Sequence, residues 1–104
     1  MLLLRPNCEW CDCDLPPDSA DARICSYECT YCAHCVETVL HNVCPTCGGG
    51  FVPRPIRPKK AYRDQLKLGL QNNPATTERK HTRWTCGEVA SQVAKLRSVD
   101  PRDR

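Results

Sequence analysis

Past the opening residues 1–4, apolar positions in the first half of this chain come in short runs that begin or end at a cysteine. Residues 22–25 and 29–32 carry the β-branched and aromatic side chains of two short strands, with Ser26, Tyr27 and Glu28 as the turn between them. Val36, Val39 and Leu40 then recur at the i, i+3, i+4 spacing of one helical face. That spacing predicts a short helix over 36–40, starting beside a cysteine thiolate where the helix dipole favours negative charge. Pro16 and Pro17 forbid regular helix or central strand and predict a loop. Asn42 or Val43 ends the helix, and the glycines at 48–50 allow a tight last turn and mark the end of a folded unit near residue 53.

Beyond residue 53 the pattern changes. Pro53, Pro55 and Pro58 alternate with Arg54, Arg57, Lys59 and Lys60, which predicts an extended, exposed basic segment. A short helix is expected over 62–68, stopped by Gly69, and Asn72, Asn73 and Pro74 break the chain again. Thr85 and Glu88 stand at the capping-box spacing, and Val89, Val93 and Leu96 share one face of a helix expected over 85–98. One narrow apolar stripe cannot hold a helix by itself. This one therefore docks on the first half, binds a partner or frays.

Composition explains why the apolar runs are so short. Of 104 residues, ten are cysteine and only six are aromatic, so a core without staples would be small. Eight of the cysteines form four close pairs: Cys8 with Cys11, Cys25 with Cys29, Cys32 with Cys35, and Cys44 with Cys47. Such pairs let one turn aim two sulfurs at one ion, and two pairs complete a four-sulfur site. The four pairs thus predict two Zn²⁺ per chain, a borderline-soft ion suited to thiolates. Two pairings of the pairs are open. In the sequential one, the first two pairs share an ion. In the interleaved one, Cys8, Cys11, Cys32 and Cys35 hold one ion while Cys25, Cys29, Cys44 and Cys47 hold the other, pinning residues 15–24 between the sites. The interleaved pairing is preferred, because it makes a compact unit with little apolar core.

Four cysteine pairs in this order, the last as Cys44-Pro45-Thr46-Cys47, resemble the cross-braced RING pattern, with Cys29 where RING domains often have histidine. That resemblance implies a small zinc-stabilised α+β fold of RING-like or treble-clef type with two four-cysteine sites, and recruitment of a ubiquitin-conjugating enzyme through the position of Trp10. Gly48 departs from the arginine that many active RING domains carry after the last ligand. More specifically, Arg5-Pro6-Asn7-Cys8, Leu15-Pro16-Pro17, Ala22-Arg23-Ile24-Cys25, Glu28-Cys29-Thr30, Cys32, Cys35, Cys44-Pro45, Cys47 to Gly50 and Arg54-Pro55 resemble a small bacterial family, domain of unknown function 1272. The likeness covers about residues 5–58 and implies no activity. A bacterial setting also lacks the usual ubiquitin machinery.

The expected organisation is therefore a two-zinc RING-like domain over 5–53, a basic proline-rich linker over 54–84 and an amphipathic helix over 85–98. Charge follows the same division. Residues 1–50 carry two basic against seven acidic side chains, and residues 51–104 carry thirteen against five. The basic tail can lie across the acidic head or meet an anionic partner. Arg54, Arg57, Lys59, Lys60 and Arg63 are the candidates for contact with a nucleic-acid backbone, and Pro55 and Pro58 form a weak polyproline-recognition pattern. A protein partner is the preferred expectation.

Closely spaced cysteines without an export signal point to metal rather than disulfides, and to the cytoplasm. No apolar run reaches the length that crosses a bilayer, so no membrane association is expected. Iron in a rubredoxin-like centre and a redox-active Cys-x-x-Cys are the alternatives; the latter lacks its βαβ context. Cys13 is a possible substitute for Cys11, while Cys86 reads as a free thiol. His34 and His41 read as surface or packing residues, because the sulfur count is already full. Trp10, Tyr27, Tyr31 and Phe51 are expected to pad the metal sites. No catalytic constellation is evident, since four thiolates close a zinc shell that a catalytic ion keeps open.

Overall fold

The computed structural model describes all 104 residues. Two three-residue strands, β1 (Ala22–Ile24) and β2 (Thr30–Cys32), pair antiparallel with Ala22 opposite Cys32 and Ile24 opposite Thr30. The turn between them is the Cys25 to Cys29 turn itself, closed by Cys25 N–H to Cys29 O at 3.2 Å. A third short strand, β3 (Val52–Pro53), pairs antiparallel with the other edge of β1, giving the order β2-β1-β3.

Helix α1 (Ala33–Cys35) starts at Cys32, whose sulfur accepts the Cys35 N–H, and continues as a π-helical turn over Val36–Leu40. Val36 and Leu40 are buried and Val39 is half-buried, so the expected apolar stripe faces the thiols. His41 and Asn42, both left-handed, end the turn. Tyr31 is buried and meets Phe51 edge-on with ring centroids 5.5 Å apart, whereas Tyr27 is 77% exposed and pads nothing.

Packing does not stop at residue 53. Helix α2 (Cys86–Leu96) is held at its start by a complete capping box between Thr85 and Glu88, and buries Val89 and Val93 in the same core as Leu15, Ala22, Leu40 and Val43. Gly48, the first of the glycines that suggest a boundary, instead makes room for this helix. At Gly48 (φ +78°) an added Cβ would stand 2.9 Å from Leu96 Cδ1. A 3-10 turn over Pro101–Asp103 follows, and the Arg104 side chain donates to Asn42 O at 2.8 Å and Gly48 O at 3.0 Å.

The helix expected over 62–68 does not form. A turn closes Leu66 N–H onto Arg63 O at 3.2 Å, and Leu70 N–H to Pro58 O and Gln71 N–H to Lys59 O gather the stretch into a loop. Gly69 (φ +82°) lies so close to Lys60 that a Cβ would meet its carbonyl carbon at 2.5 Å. Tyr62, Leu66 and Leu68 stay exposed. With no apolar surface to bury them against, nothing offsets the cost of nucleating so short a helix. The loop also lengthens the molecule: the radius of gyration is 14.9 Å, against about 13 Å for a compact domain of this length.

Apolar packing is thin throughout. Only 22 of the 104 residues are buried, and six of the fifteen buried apolar residues are cysteines. The stability of the fold must therefore depend strongly on what those sulfurs do.

Candidate metal centres

All ten cysteines are free thiols, and they gather in two places. The sulfurs of Cys8, Cys11, Cys13 and Cys32 lie within 4.8 Å of one another, as do those of Cys25, Cys44 and Cys47. Cys35 stands beside the first group, its N–H donating to Cys32 Sγ at 3.4 Å, but its sulfur is not among the four. Cys29 stands beside the second, its carbonyl accepting the Cys25 N–H at 3.2 Å, and its sulfur is likewise outside the group. Each group thus draws on alternate pairs along the chain, and β1, β2 and the loop before them run between the two. Cys86 opens α2, exposed and in neither group. His34 is exposed and His41 half-buried, and neither joins a thiol group.

The turns that present the sulfurs are nearly the same structure made twice. Asp12 N–H returns to Cys8 O at 3.0 Å, and Gly48 N–H returns to Cys44 O at 2.8 Å. Asp12 (φ +65°) and Gly48 (φ +78°) occupy the left-handed region just after the second cysteine of each pair. The Cys25 turn uses Glu28 (φ +66°) in a similar way, with its N–H on Cys25 O at 3.0 Å.

Backbone amides of Trp10, Tyr27, Cys35 and Gly49 point at the sulfurs of Cys8, Cys25, Cys32 and Cys47, each at 3.4 Å. Donors aimed at sulfur favour thiolate over thiol. A thiolate is also the form that binds metal.

Proton affinities within the groups are pulled apart by proximity. Hydrogen bonds from Cys29 and Cys44 bring the Cys25 thiol down to about 2, and bonds to Cys25 and Cys29 push Cys44 up. Partial desolvation raises Cys11, but bonds from the Cys13 amide and from the Cys13, Cys8 and Cys35 thiols outweigh it and bring Cys11 to about 7. Partial desolvation, then the neighbouring Cys11 and Cys32, push Cys13 up to about 12. Sulfurs this close cannot all carry charge unaided, and a divalent cation removes that repulsion.

The donor sets fit such an ion. Sulfurs held about 2.3 Å from a tetrahedral zinc lie about 3.8 Å apart, and Cys11 Sγ and Cys32 Sγ are 3.8 Å apart. Both groups can therefore hold a metal ion.

Two polar devices that sequence patterning does not reveal hold the first group in place. Glu9, buried beside it, accepts the Thr30 N–H at 2.6 Å through its carboxylate and donates its own N–H to Thr30 O at 2.9 Å, which ties the Cys8 turn to β2. Burial holds that carboxyl above the usual carboxylate range, against the opposing pull of the Thr30 amide. The fully buried Asn7 side chain donates to Cys8 O, Asp12 Oδ1 and Lys80 O and accepts the Lys80 N–H. Its partner stands 73 residues away, so no local pattern could have found it.

Sequence likeness covers this same part of the chain. A family model described as protein of unknown function, DUF1272, matches residues 1–57. The chain belongs to that family. A relative, an uncharacterized protein of Rhizobium meliloti strain 1021, is 56% identical over 79 residues, spanning 76% of this chain and 84% of its own. No solved structure matches the chain. The DUF1272 match ends at Arg57, beyond β3, and so contains every cysteine of both thiol groups.

The basic cluster is not one surface. Arg54 is 4% exposed and donates to Arg5 O at 2.8 Å, Pro16 O at 3.0 Å and Leu15 O at 3.2 Å. Arg57 donates to Leu2 O and Asn73 O. These two arginines are internal clamps, which corrects their placement among phosphate contacts. Lys59, Lys60 and Arg63 remain exposed. The tail then runs back over the head. Arg79 pairs with Asp12 at 2.9 Å and Asp14 at 2.8 Å, His81 Nε2 reaches Asp12, Thr82 N–H donates to Glu9 O at 2.8 Å, and Trp84 Nε1 donates to Thr46 Oγ1 at 2.9 Å. No helix of the chain is long and apolar enough to cross a membrane.

Proposed function

We propose that this DUF1272 protein is a non-catalytic binding module folded around two Zn²⁺ in a RING-like, treble-clef cross-brace. One ion is held by Cys8, Cys11, Cys32 and Cys35 and the other by Cys25, Cys29, Cys44 and Cys47. The observation that carries the reading is the sorting of the sulfurs into two groups from alternate pairs, with backbone amides aimed at four of them. Bound zinc supplies the attraction that this thin core lacks, on the order of 10 kcal/mol per ion in small peptides. A reducing compartment such as the cytoplasm suits so many free thiols.

The loop between residues 59 and 71 is the surface assigned to a protein partner. It presents Tyr62, Leu66 and Leu68 beside Lys59, Lys60, Arg63 and Lys67, all exposed, and suits an acidic protein face with apolar contacts. The ligase reading is weaker. The strap from Thr82 to Trp84 joins the turn that carries Trp10 to the turn that carries Pro45, so the protein's own chain occupies the RING-like contact surface. The nucleic-acid reading loses Arg54 and Arg57 to internal bonds.

Native mass spectrometry with elemental analysis, paired with circular dichroism before and after chelation, tests the metal-folded module. Two zinc ions per chain and loss of structure on chelation are expected. A metal-free, folded protein or bound iron overturns the assignment.

A further inference from the structure

The first thiol group already holds the four sulfurs a tetrahedral ion needs without counting Cys35. Cys8, Cys11, Cys13 and Cys32 lie within 4.8 Å of one another, and Cys35 adjoins them, its N–H donating to Cys32 Sγ at 3.4 Å. Five cysteines therefore gather at one centre. Cys13 is there because of the turn and not by accident of a flexible side chain. Its carbonyl accepts the Cys8 N–H at 2.9 Å, and the left-handed Asp12 reverses the chain between Cys11 and Cys13 so that both sulfurs face the group. The second group has no such extra thiol, since Cys86 is elsewhere.

Accessibility differs in the same sense. Cys8, Cys32 and Cys35 are buried, while Cys11 and Cys13 are exposed. An incoming ligand can reach the first centre at that edge. Around the second centre Cys25, Cys29 and Cys44 are buried and Cys47 is half-buried.

Resting on the two-zinc reading above, we infer that the first centre is an exchangeable site for a soft divalent ion, where Cys13 and Cys35 compete for the fourth ligand position. Zinc shells can expand transiently to five ligands, and a fifth thiol already within reach lets one sulfur arrive before another leaves. The swap takes one proton from the Cys13 thiol and returns one to the departing Cys35 thiolate, with no change of oxidation state. The exposed Cys11 and Cys13 edge is where a thiol-bearing or chelating acceptor takes the ion over. The second centre keeps its ion.

The test is transfer of zinc from the loaded full-length protein to a chromogenic chelator, followed in time, with zinc content measured on each variant. Wild type should release its two ions in two phases of equal amplitude. Cys13→Ser should still hold two ions but slow the faster phase about tenfold, in the range that ligand-shell changes produce. Cys35→Ser should also hold two ions, because Cys13 fills the place, whereas Cys29→Ser, with no spare thiol, should hold one. The double variant Cys13→Ser/Cys35→Ser should fall to one.

Unchanged release in Cys13→Ser, or loss of an ion in Cys35→Ser alone, overturns the exchange inference and leaves the two-zinc module standing. Fewer than two ions in wild type overturns both.

Discussion

Two thiol groups built on nearly the same turn differ in what surrounds them. Around Cys44 and Cys47 the chain supplies apolar cover: Val43 and Cys44 are fully buried, and Gly48 lies under Leu96 of α2. Around Cys8 and Cys11 it supplies polar cover, namely the Asn7 amide, the Glu9 carboxylate and the ion pairs of Arg79 with Asp12 and Asp14. Apolar burial excludes water and closes a site, whereas exposed ion pairs contribute little and open readily. One turn can thus serve a closed centre and an accessible one, and neighbours 21 to 73 residues distant make the difference.

The largest effect should come from the closed centre. If the two-zinc proposal holds, Cys44→Ser removes a buried ligand and, with it, most of the contribution of one ion, on the order of 10 kcal/mol. Loss of one zinc per chain and of cooperative thermal unfolding is expected, read by elemental analysis and calorimetry. A Cys44→Ser protein that melts like wild type would make the two centres equally dispensable and break the comparison.

Arg54 links the two regions, because its guanidinium joins Arg5, Leu15 and Pro16 while its N–H bonds Ala22 O on β1. Arg54→Ala strips three carbonyls of their donor and should cost about 2–4 kcal/mol in denaturant unfolding. Arg54→Lys should recover little, since a single ammonium cannot reproduce the planar fork.

Gly48→Ala tests the apolar cover of the closed centre. Most of its cost is the left-handed backbone, about 1–2 kcal/mol, because the Leu96 methyl that a Cβ meets is the free end of a side chain. Asp12 is the matching position in the first turn and already bears a side chain at φ +65°. Asp12→Gly should relieve that backbone while losing the bonds to Asn7, Arg79 and His81. The two variants should therefore move stability in unlike ways in the same melts.

Glu9 gives the smallest effect and a pH signature. Its carboxyl is raised from 4.5 by burial, so the folded chain holds the proton more tightly than the unfolded one. Ionisation therefore costs stability as pH climbs from 4.5 through the folded value. Glu9→Gln keeps an oxygen for the Thr30 N–H without that cost. It should gain on wild type as pH rises through the window and converge with it below 4.5, in metal-saturated denaturant melts. A difference that stays constant with pH would assign Glu9 a packing role only.

Much of the candidate chemistry was legible in the chain because it is local. A Cys-x2-Cys turn needs only its own residues, so the pairs at 8 and 11 and at 44 and 47 could be read directly. The capping box at Thr85 and Glu88 and the apolar face of Val89 and Val93 are equally short-range. The helix over 62–68 failed on the same ground, since spacing reports a face but not whether anything lies opposite it. Cys13 shows the limit most clearly. Its spacing from Cys8 suggested a substitute for Cys11, but Asp12 takes a left-handed turn that brings Cys11 and Cys13 to the same group.

By itself, the sequence determined that ten thiols outnumber the aromatic residues, that eight of them fall in turn-sized pairs, and that the tail is basic. Only the tertiary structure decided which pairs meet, that Cys13 joins one group, and that Arg54 and Arg57 bond the chain's own carbonyls. The physical reason is reach. Turn geometry acts over three or four residues, whereas the contacts that sort the sulfurs and bury Arg54 join segments tens of residues apart, and form only when the whole chain has closed.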